Sequence, residues 1–186
     1  INLIDHYVSE IHTRPSARTF KLASKVLPKA LTRLLTASQP SSLLDPTIEA
    51  AHRIQVEGPL EQLRELSTQH TLVYTPTHVS NLDSPLIGYA LAVAKLAPVI
   101  YGAGLNLFEN PIMAFFMGRL GAYTVDRRKK NQLYKDVLKD YSAVSIAKGR
   151  HSLFYPGGTR SRSGRIETSL KKGLLGTGLQ AWQENV

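Results

Sequence analysis

The chain has 186 residues, 42% of them hydrophobic and none of them cysteine, which suits one globular domain and excludes a disulfide framework, a thiolate metal site and a cysteine nucleophile. Its net charge of +9 is concentrated in two zones, residues 119–172 (net +10) and residues 11–44 (six Lys/Arg, no acid), over a body of net −7. Such zones ask for an anionic partner, and charge alone leaves phosphate esters, coenzyme A, acidic lipid headgroups and nucleic acid open.

Residues 17–35 read as an amphipathic helix, with Phe20, Ala23, Leu27, Leu31 and Leu34 recurring at three- and four-residue steps. Arg18, Lys21, Lys25, Lys29 and Arg33 form a basic stripe on the other side, and Pro28 is expected to kink or split the helix. The basic stripe is either a membrane-surface face or an ordinary solvated one. Residues 38–47 carry linker composition, so a helical N-terminal segment over 1–47 is expected ahead of a core over 48–186. In that core Arg53–Glu57 alternates as a strand, Leu60–Ser67 is a short helix and Thr71–Thr75 a strand. Leu82–Lys95 is a helix, Pro98–Tyr101 a buried strand, Asn110–Met117 a helix or helical turn, Ala122–Val125 a strand, Asn131–Lys148 a helix and Ser152–Tyr155 a strand. A last helix begins at Gly173. Strands alternating with helices predict an α/β fold, a mixed, largely parallel sheet flanked by helices. The most apolar stretch, Pro85 to Tyr101, is interrupted by Lys95 and falls short of the roughly 20 apolar residues of a spanning helix, so no transmembrane segment is expected. The chain opens on Ile1 rather than a methionine and ends in what reads as mid-helix, so a fragment truncated at the C-terminus is expected.

Three segments carry chemistry. In Thr77-His78-Val79-Ser80-Asn81-Leu82-Asp83, His78 and Asp83 are five apart, about 140° of rotation on a continuous helix, so they face each other only if His78 sits in the turn before the helix. The carboxylate can then hold one imidazole nitrogen and leave the other as a base, with a substrate hydroxyl as nucleophile. The blander reading is a helix cap, Ser80-x-x-Asp83. Tyr155-Pro-Gly157-Gly158-Thr159-Arg160-Ser161-Arg162 follows a strand. Its glycines expose backbone amides, its hydroxyls add donors and its two arginines suit a phosphate monoester. The alternative is a flexible loop with solvated arginines. The third segment, Gly121 to Lys130, ends a strand in four cations, either a basic turn or a second arm of the phosphate site through Arg127.

His6, His12, His52, His70 and His151 show no metal-ligand spacing, so no metal is expected, and each reads as a surface or packed histidine. Walker and dinucleotide fingerprints are absent, and no cofactor is expected. The basic zones lack interleaved aromatics, which argues against nucleic acid despite a pI near 9.9.

In order and spacing the segments resemble the glycerolipid acyltransferase superfamily, marked by a His-x4-Asp block, a second block ending in arginine and a Phe-Pro-Glu-Gly-Thr-Arg-Ser-like block. His78–Asp83, Gly121–Arg127 and Tyr155–Ser161 match these. Pro76-Thr-His78, Gly102-Ala-Gly-Leu-Asn-Leu107, Arg119-Leu-Gly-Ala-Tyr123 and Arg160-Ser-Arg-Ser-Gly-Arg165 bring it nearest to the glycerol-3-phosphate acyltransferases, over about residues 70–182. The resemblance implies that His78 deprotonates the sn-1 hydroxyl of glycerol-3-phosphate, which attacks the thioester of acyl-CoA or acyl carrier protein. Asp83 would orient His78; Arg127, Gly157, Gly158, Thr159, Arg160, Ser161 and Arg162 would bind the substrate phosphate. It implies peripheral contact with the cytoplasmic face of a membrane. A lysophosphatidate acyltransferase and a non-catalytic lipid- or phosphate-binding domain are the alternatives. Two departures stand out: Gly157 replaces the block's glutamate, and the family's fourth block, a short apolar strand, is not reached by Val186.

Overall fold

The structure is a computed structural model that describes residues 2–36, 54–80, 82–109, 111–158, 160–161 and 169–184. Its centre is a four-stranded sheet of β1 (Val73–Tyr74), β2 (Ile100–Gly104), β3 (Ala122–Val125) and β4 (Ser152–Leu153), in the order β1-β4-β2-β3. Every pairing described is parallel. Parallel neighbours need crossovers, and the helices supply them: α4 (Asp83–Val93), α5 (Pro111–Arg119) and α6 (Gln132–Ala147) each lie between successive strands. Helices α1 (Leu3–Ile11), α2 (Ala17–Thr36) and α3 (Leu60–Gln69) precede β1, and α7 (Leu175–Glu184) follows β4.

Side chains alternate between the two faces of the sheet. On one face Ile100 and Tyr123 meet Tyr7 and Ile11 of α1 and Tyr134 and Val137 of α6. On the other, Leu153 and Tyr101 meet Leu91 of α4, Leu60 and Leu63 of α3, and Ala94, Leu96 and Val99. Arg64 of α3 donates through Nε to the Ala94 carbonyl at 2.6 Å, satisfying a group the end of α4 leaves without a helical partner. Against α6, α7 buries Thr177, whose hydroxyl lies 3.0 Å from that of Ser142.

Most expected elements are present, with instructive shifts. The helix expected at 17–35 runs as one element through Pro28, and its Leu27 and Leu31 pack on Tyr89 and Leu86 of α4. Leu31 is buried and Phe20, Ala23 and Leu27 are half-buried, while Leu22 and Val26, among Arg18, Lys21, Lys25 and Lys29, face outward. The strand expected at Arg53–Glu57 is a correction. Arg53 lies outside the described residues, and among those described 54–57 pair with no strand; the alternation is real only because Ile54 and Val56 pack against the Leu31–Tyr89 cluster. The second strand begins two residues later than expected and runs on through Gly104. Helix α1 falls within the helical segment expected over 1–47, although the sequence gives it no bounds of its own; Ile11 is fully buried and Asn2 caps it by accepting from the Ile4 N–H.

The start of β3 is fixed by one backbone position. Gly121 has φ +98°, and a Cβ there would lie 2.5 Å from the Val99 carbonyl oxygen, so only glycine fits beside β2.

Candidate active site

In an all-parallel sheet the carboxyl ends of all strands share one edge, and ligands bind beyond it. That edge collects the loops after β1 (His78), β4 (Tyr155 to Ser161) and β3 (Asp126 to Lys130). β1 and β4 are neighbours, so the first two loops adjoin. β3 is three strands from β1, about 14 Å at the usual spacing.

His78 stands in the turn after β1, and Asp83 is the first residue of α4. Asp83 Oδ2 lies 2.8 Å from His78 Nδ1 and accepts from the backbone N–H of Val79 at 2.7 Å and of Ser80 at 2.8 Å. One oxygen thus binds the imidazole and clips together the turn ahead of α4, whereas the N-cap position itself, Leu82, carries no side-chain cap bond. Pro85 in the first turn costs α4 no hydrogen bond. Partial burial pushes the Asp83 carboxyl up, but the Ser80 N–H, the His78 ring and the Val79 N–H together outweigh it and hold the carboxyl below its ordinary value. An ionised carboxylate only accepts, which assigns the proton to His78 Nδ1 and makes Nε2 the ring atom that can take another.

The glycine loop is laced to this turn. Ser161 N–H donates to the His78 carbonyl at 2.8 Å. The Tyr155 ring stacks on the imidazole with centroids 4.1 Å apart and planes at 23°, and its hydroxyl lies 3.2 Å from Ser84 Oγ on α4. Gly158, with φ +69°, donates to the Tyr155 carbonyl and closes a turn. Lys171 N–H bonds the Pro156 carbonyl at 2.7 Å, and the Lys171 side chain crosses Gly158, where a Cβ would meet its Cδ at 2.7 Å.

The structure therefore brings His78, Asp83, Gly157, Gly158 and Ser161 together, with Arg160 exposed beside them. Thr159 and Arg162 lie outside the described residues. Arg127 is exposed at the far edge strand. Its neighbours are engaged elsewhere: Arg128 with Asp126 at 3.0 Å, Lys129 with Glu10. Tyr155, Ser84 and Lys171 are absent from the sequence-derived site. Two of them carry a signal, Lys171 as one of a Lys-Lys pair ahead of Gly173 in the basic zone and Tyr155 as the first residue of the glycine loop, but nothing local places the tyrosine ring on His78.

A groove of about 400 Å³ between α2 and α4 lies at the opposite end of α4 from Asp83, lined by Phe20, Tyr89 and Val93 among others. Among the described residues no three His, Asp or Glu cluster as metal ligands, and no helix is long and apolar enough to cross a membrane.

Comparison with known proteins adds a family. Residues 53–181 match the family model described as Acyltransferase. Glycerol-3-phosphate acyltransferase of Histophilus somni (strain 129Pt) is 35% identical over 127 residues, covering 67% of this chain and 15% of that protein. The protein of the same name from Pseudoalteromonas translucida (strain TAC 125) is 37% identical over 123 residues, 65% of this chain and 15% of that one. The chain thus spans about 15% of the length of these curated relatives. The solved 1-acyl-sn-glycerophosphate (LPA) acyltransferase of Thermotoga maritima aligns with a TM-score of 0.48 at 14% identity, over 88% of this chain and 67% of that one.

Proposed function

The chain belongs to the Acyltransferase family, and from that premise we propose that it moves a fatty acyl group from acyl-CoA or acyl carrier protein to the sn-1 hydroxyl of glycerol-3-phosphate. The observation that carries this reading is the 2.8 Å contact of His78 Nδ1 with Asp83, in a turn bonded through its own carbonyl to the glycine loop. A base and an anion-binding loop sharing one backbone hydrogen bond suit a substrate that is both an alcohol and a phosphate ester.

In this mechanism Nε2 of His78 takes the proton of the acceptor hydroxyl as its oxygen attacks the thioester carbonyl. The tetrahedral intermediate collapses, the C–S bond breaks, and the imidazolium returns its proton to the departing thiolate. Asp83 keeps Nδ1 protonated and stabilises the imidazolium. Base catalysis of this kind contributes about 10²–10⁴-fold. Arg160, Arg162 and Arg127, with the amides of Gly157 and Gly158 and the hydroxyls of Thr159 and Ser161, hold the phosphate. Lys171, lying across Gly158, adds a further cation. The acceptor assignment draws on the names of the relatives. The protein works at the cytoplasmic face of a membrane, with the outward face of α2 toward anionic lipid. Leu22 and Val26 there are more than half exposed amid four cations.

The test uses the full-length protein with labelled acyl-CoA or acyl carrier protein and, in parallel, glycerol-3-phosphate, dihydroxyacetone phosphate and lysophosphatidate. Glycerol-3-phosphate is expected to be the preferred acceptor. His78→Ala should abolish transfer while phosphate binding survives, and Arg160→Ala should mainly raise KM. Transfer by His78→Ala at the wild-type rate defeats the mechanism. Preference for lysophosphatidate reassigns the acceptor, and binding without turnover makes the protein a binding module. Co-sedimentation with anionic but not zwitterionic vesicles checks the membrane face.

A further inference from the structure

A base that must meet a hydroxyl productively needs its ring held within about 0.5 Å and 10–20° of the working geometry. The Asp83 hydrogen bond fixes where His78 Nδ1 sits. It does not fix the plane of the ring, because an imidazole can rock about a single Nδ1···O axis.

A second side chain meets the ring on its face. Tyr155 lies at 4.1 Å between centroids with 23° between planes, which is a stacked contact. Tyr155 is itself held on two sides. Its ring packs against the cluster of Leu91, Leu96, Val99 and Leu153 under the sheet. Its hydroxyl lies 3.2 Å from Ser84 Oγ, one residue after Asp83 in the first turn of α4. Burial pushes the pKa of the Tyr155 hydroxyl up, with the Ser84 bond acting the other way and the Asp83 charge adding to the rise, so it stays a neutral partner. The first turn of α4 thus bears on the imidazole twice: through Asp83 at the ring edge, and through Ser84 and Tyr155 at the ring face.

We propose that Tyr155 is a positioning residue for His78: its ring sets the plane of the imidazole, and its hydroxyl, through Ser84, ties that plane to the first turn of α4. This rests on the reading of His78 as the general base. The ring makes the stacked contact directly, whereas the hydroxyl acts at one remove, so the ring should carry most of the effect and the hydroxyl the smaller part.

The test measures kcat and KM for glycerol-3-phosphate in the full-length protein, together with the ¹H NMR shift of the His78 Hε1 proton, which an overlying aromatic ring moves. Tyr155→Met keeps bulk and removes the flat ring. It should lower kcat about 10–100-fold with KM within about threefold, since a misplacement near 1 Å can cost about 10²-fold. It should also abolish the ring-current displacement of the His78 signal. Tyr155→Phe should restore that displacement and most of kcat, remaining about threefold below wild type. Ser84→Ala should match Tyr155→Phe, and the double variant should be no worse than either alone, because both remove the same hydrogen bond. If Tyr155→Met does not fold, the Phe variant, the Ser84 variant and their non-additivity still decide.

Wild-type kcat in Tyr155→Met, a loss confined to KM, or full additivity of the Phe and Ala changes overturns the proposal. His78→Ala in the same assay separates the two failures. If it remains active, the base reading is wrong. If it is inactive while Tyr155→Met runs at the wild-type kcat, only the positioning role is wrong.

Discussion

Two histidines stand at opposite ends of the same pair of strands and do opposite things. His151 precedes β4, is buried, and accepts the Leu72 N–H on Nδ1 at 3.0 Å, just ahead of β1. His78 follows β1, and its Nδ1 faces a carboxylate at 2.8 Å. The first ring must therefore carry its neutral proton on Nε2, the second on Nδ1. At the amino ends of the strands an imidazole completes the backbone ladder as an acceptor. At the carboxyl ends it is oriented as a base. Parallel strands create this asymmetry, because the loops that gather beyond the carboxyl edge are where ligands bind. Substitutions at the carboxyl edge should cost turnover and spare the fold; those at the amino edge should do the reverse.

The largest expected effect is at the carboxyl edge. Asp83→Asn keeps an oxygen for the Val79 and Ser80 amides but removes the charge that steadies the imidazolium. We expect kcat to fall about 10²–10⁴-fold, some 3–5 kcal/mol of barrier. The loss of folding stability should be only about 1 kcal/mol, as for weakened hydrogen bonds to the two turn amides. Steady-state kinetics beside a urea melt decide the matter. An unchanged kcat with a large loss of stability would make Asp83 a clip for the turn alone and erase the contrast between the edges.

Next in size is Gly121→Ala, at the amino edge of β3. The new Cβ would lie 2.5 Å from a backbone oxygen, and φ is +98°, so the clash cannot be relieved by rotating a side chain. We expect about 2–3 kcal/mol of lost stability in a urea melt. Assayed cold, where the variant stays folded, kcat should match wild type. A variant as stable as wild type would show that β2 and β3 part easily there and that the amino edge is not the rigid support.

What was legible in the sequence follows the same division. Helix and strand periodicity is local, so the alternation of elements could be read, and so could the His78–Asp83 pair, five residues apart. The contacts that complete the site depend on strand order. Tyr155 reaches His78 only because β4 lies beside β1, although their paired residues are 79 positions apart, as Val73 and Ser152 are. Strand lengths depend on pairing in the same way. Thr71–Thr75 and Ser152–Tyr155 have strand composition, but only Val73–Tyr74 and Ser152–Leu153 form the two strands. The second strand instead extends through Gly102-Ala103-Gly104, a stretch with weak strand composition, where Gly102 leaves room for the Tyr123 ring, 3.1 Å from where its Cβ would be. Helix α1 had a readable cap, Asn2, and apolar steps at Leu3, Tyr7 and Ile11, but nine residues make a weak periodic signal beside the longer helix that follows.

The smallest effect belongs to His151 and turns on pH. Burial penalises its charged form and lowers its pKa below the ordinary 6.5, and protonation of Nδ1 would also break its bond to the Leu72 N–H. Below about pH 6.5 the unfolded chain takes up a proton at this residue that the folded chain resists. The stability this histidine contributes is therefore complete above that pH and lost as pH falls toward the lowered folded value, at no more than about 1.4 kcal/mol per pH unit. Gln at this position keeps an oxygen to accept the Leu72 N–H and cannot titrate. Urea melts between pH 7.5 and 5 should show wild type losing more stability than His151→Gln as the solution is acidified, while the pH dependence of kcat is the same in both. Parallel stability curves would mean that His151 titrates alike in the folded and unfolded chains, and a changed kcat profile would carry its influence across the sheet to the carboxyl edge.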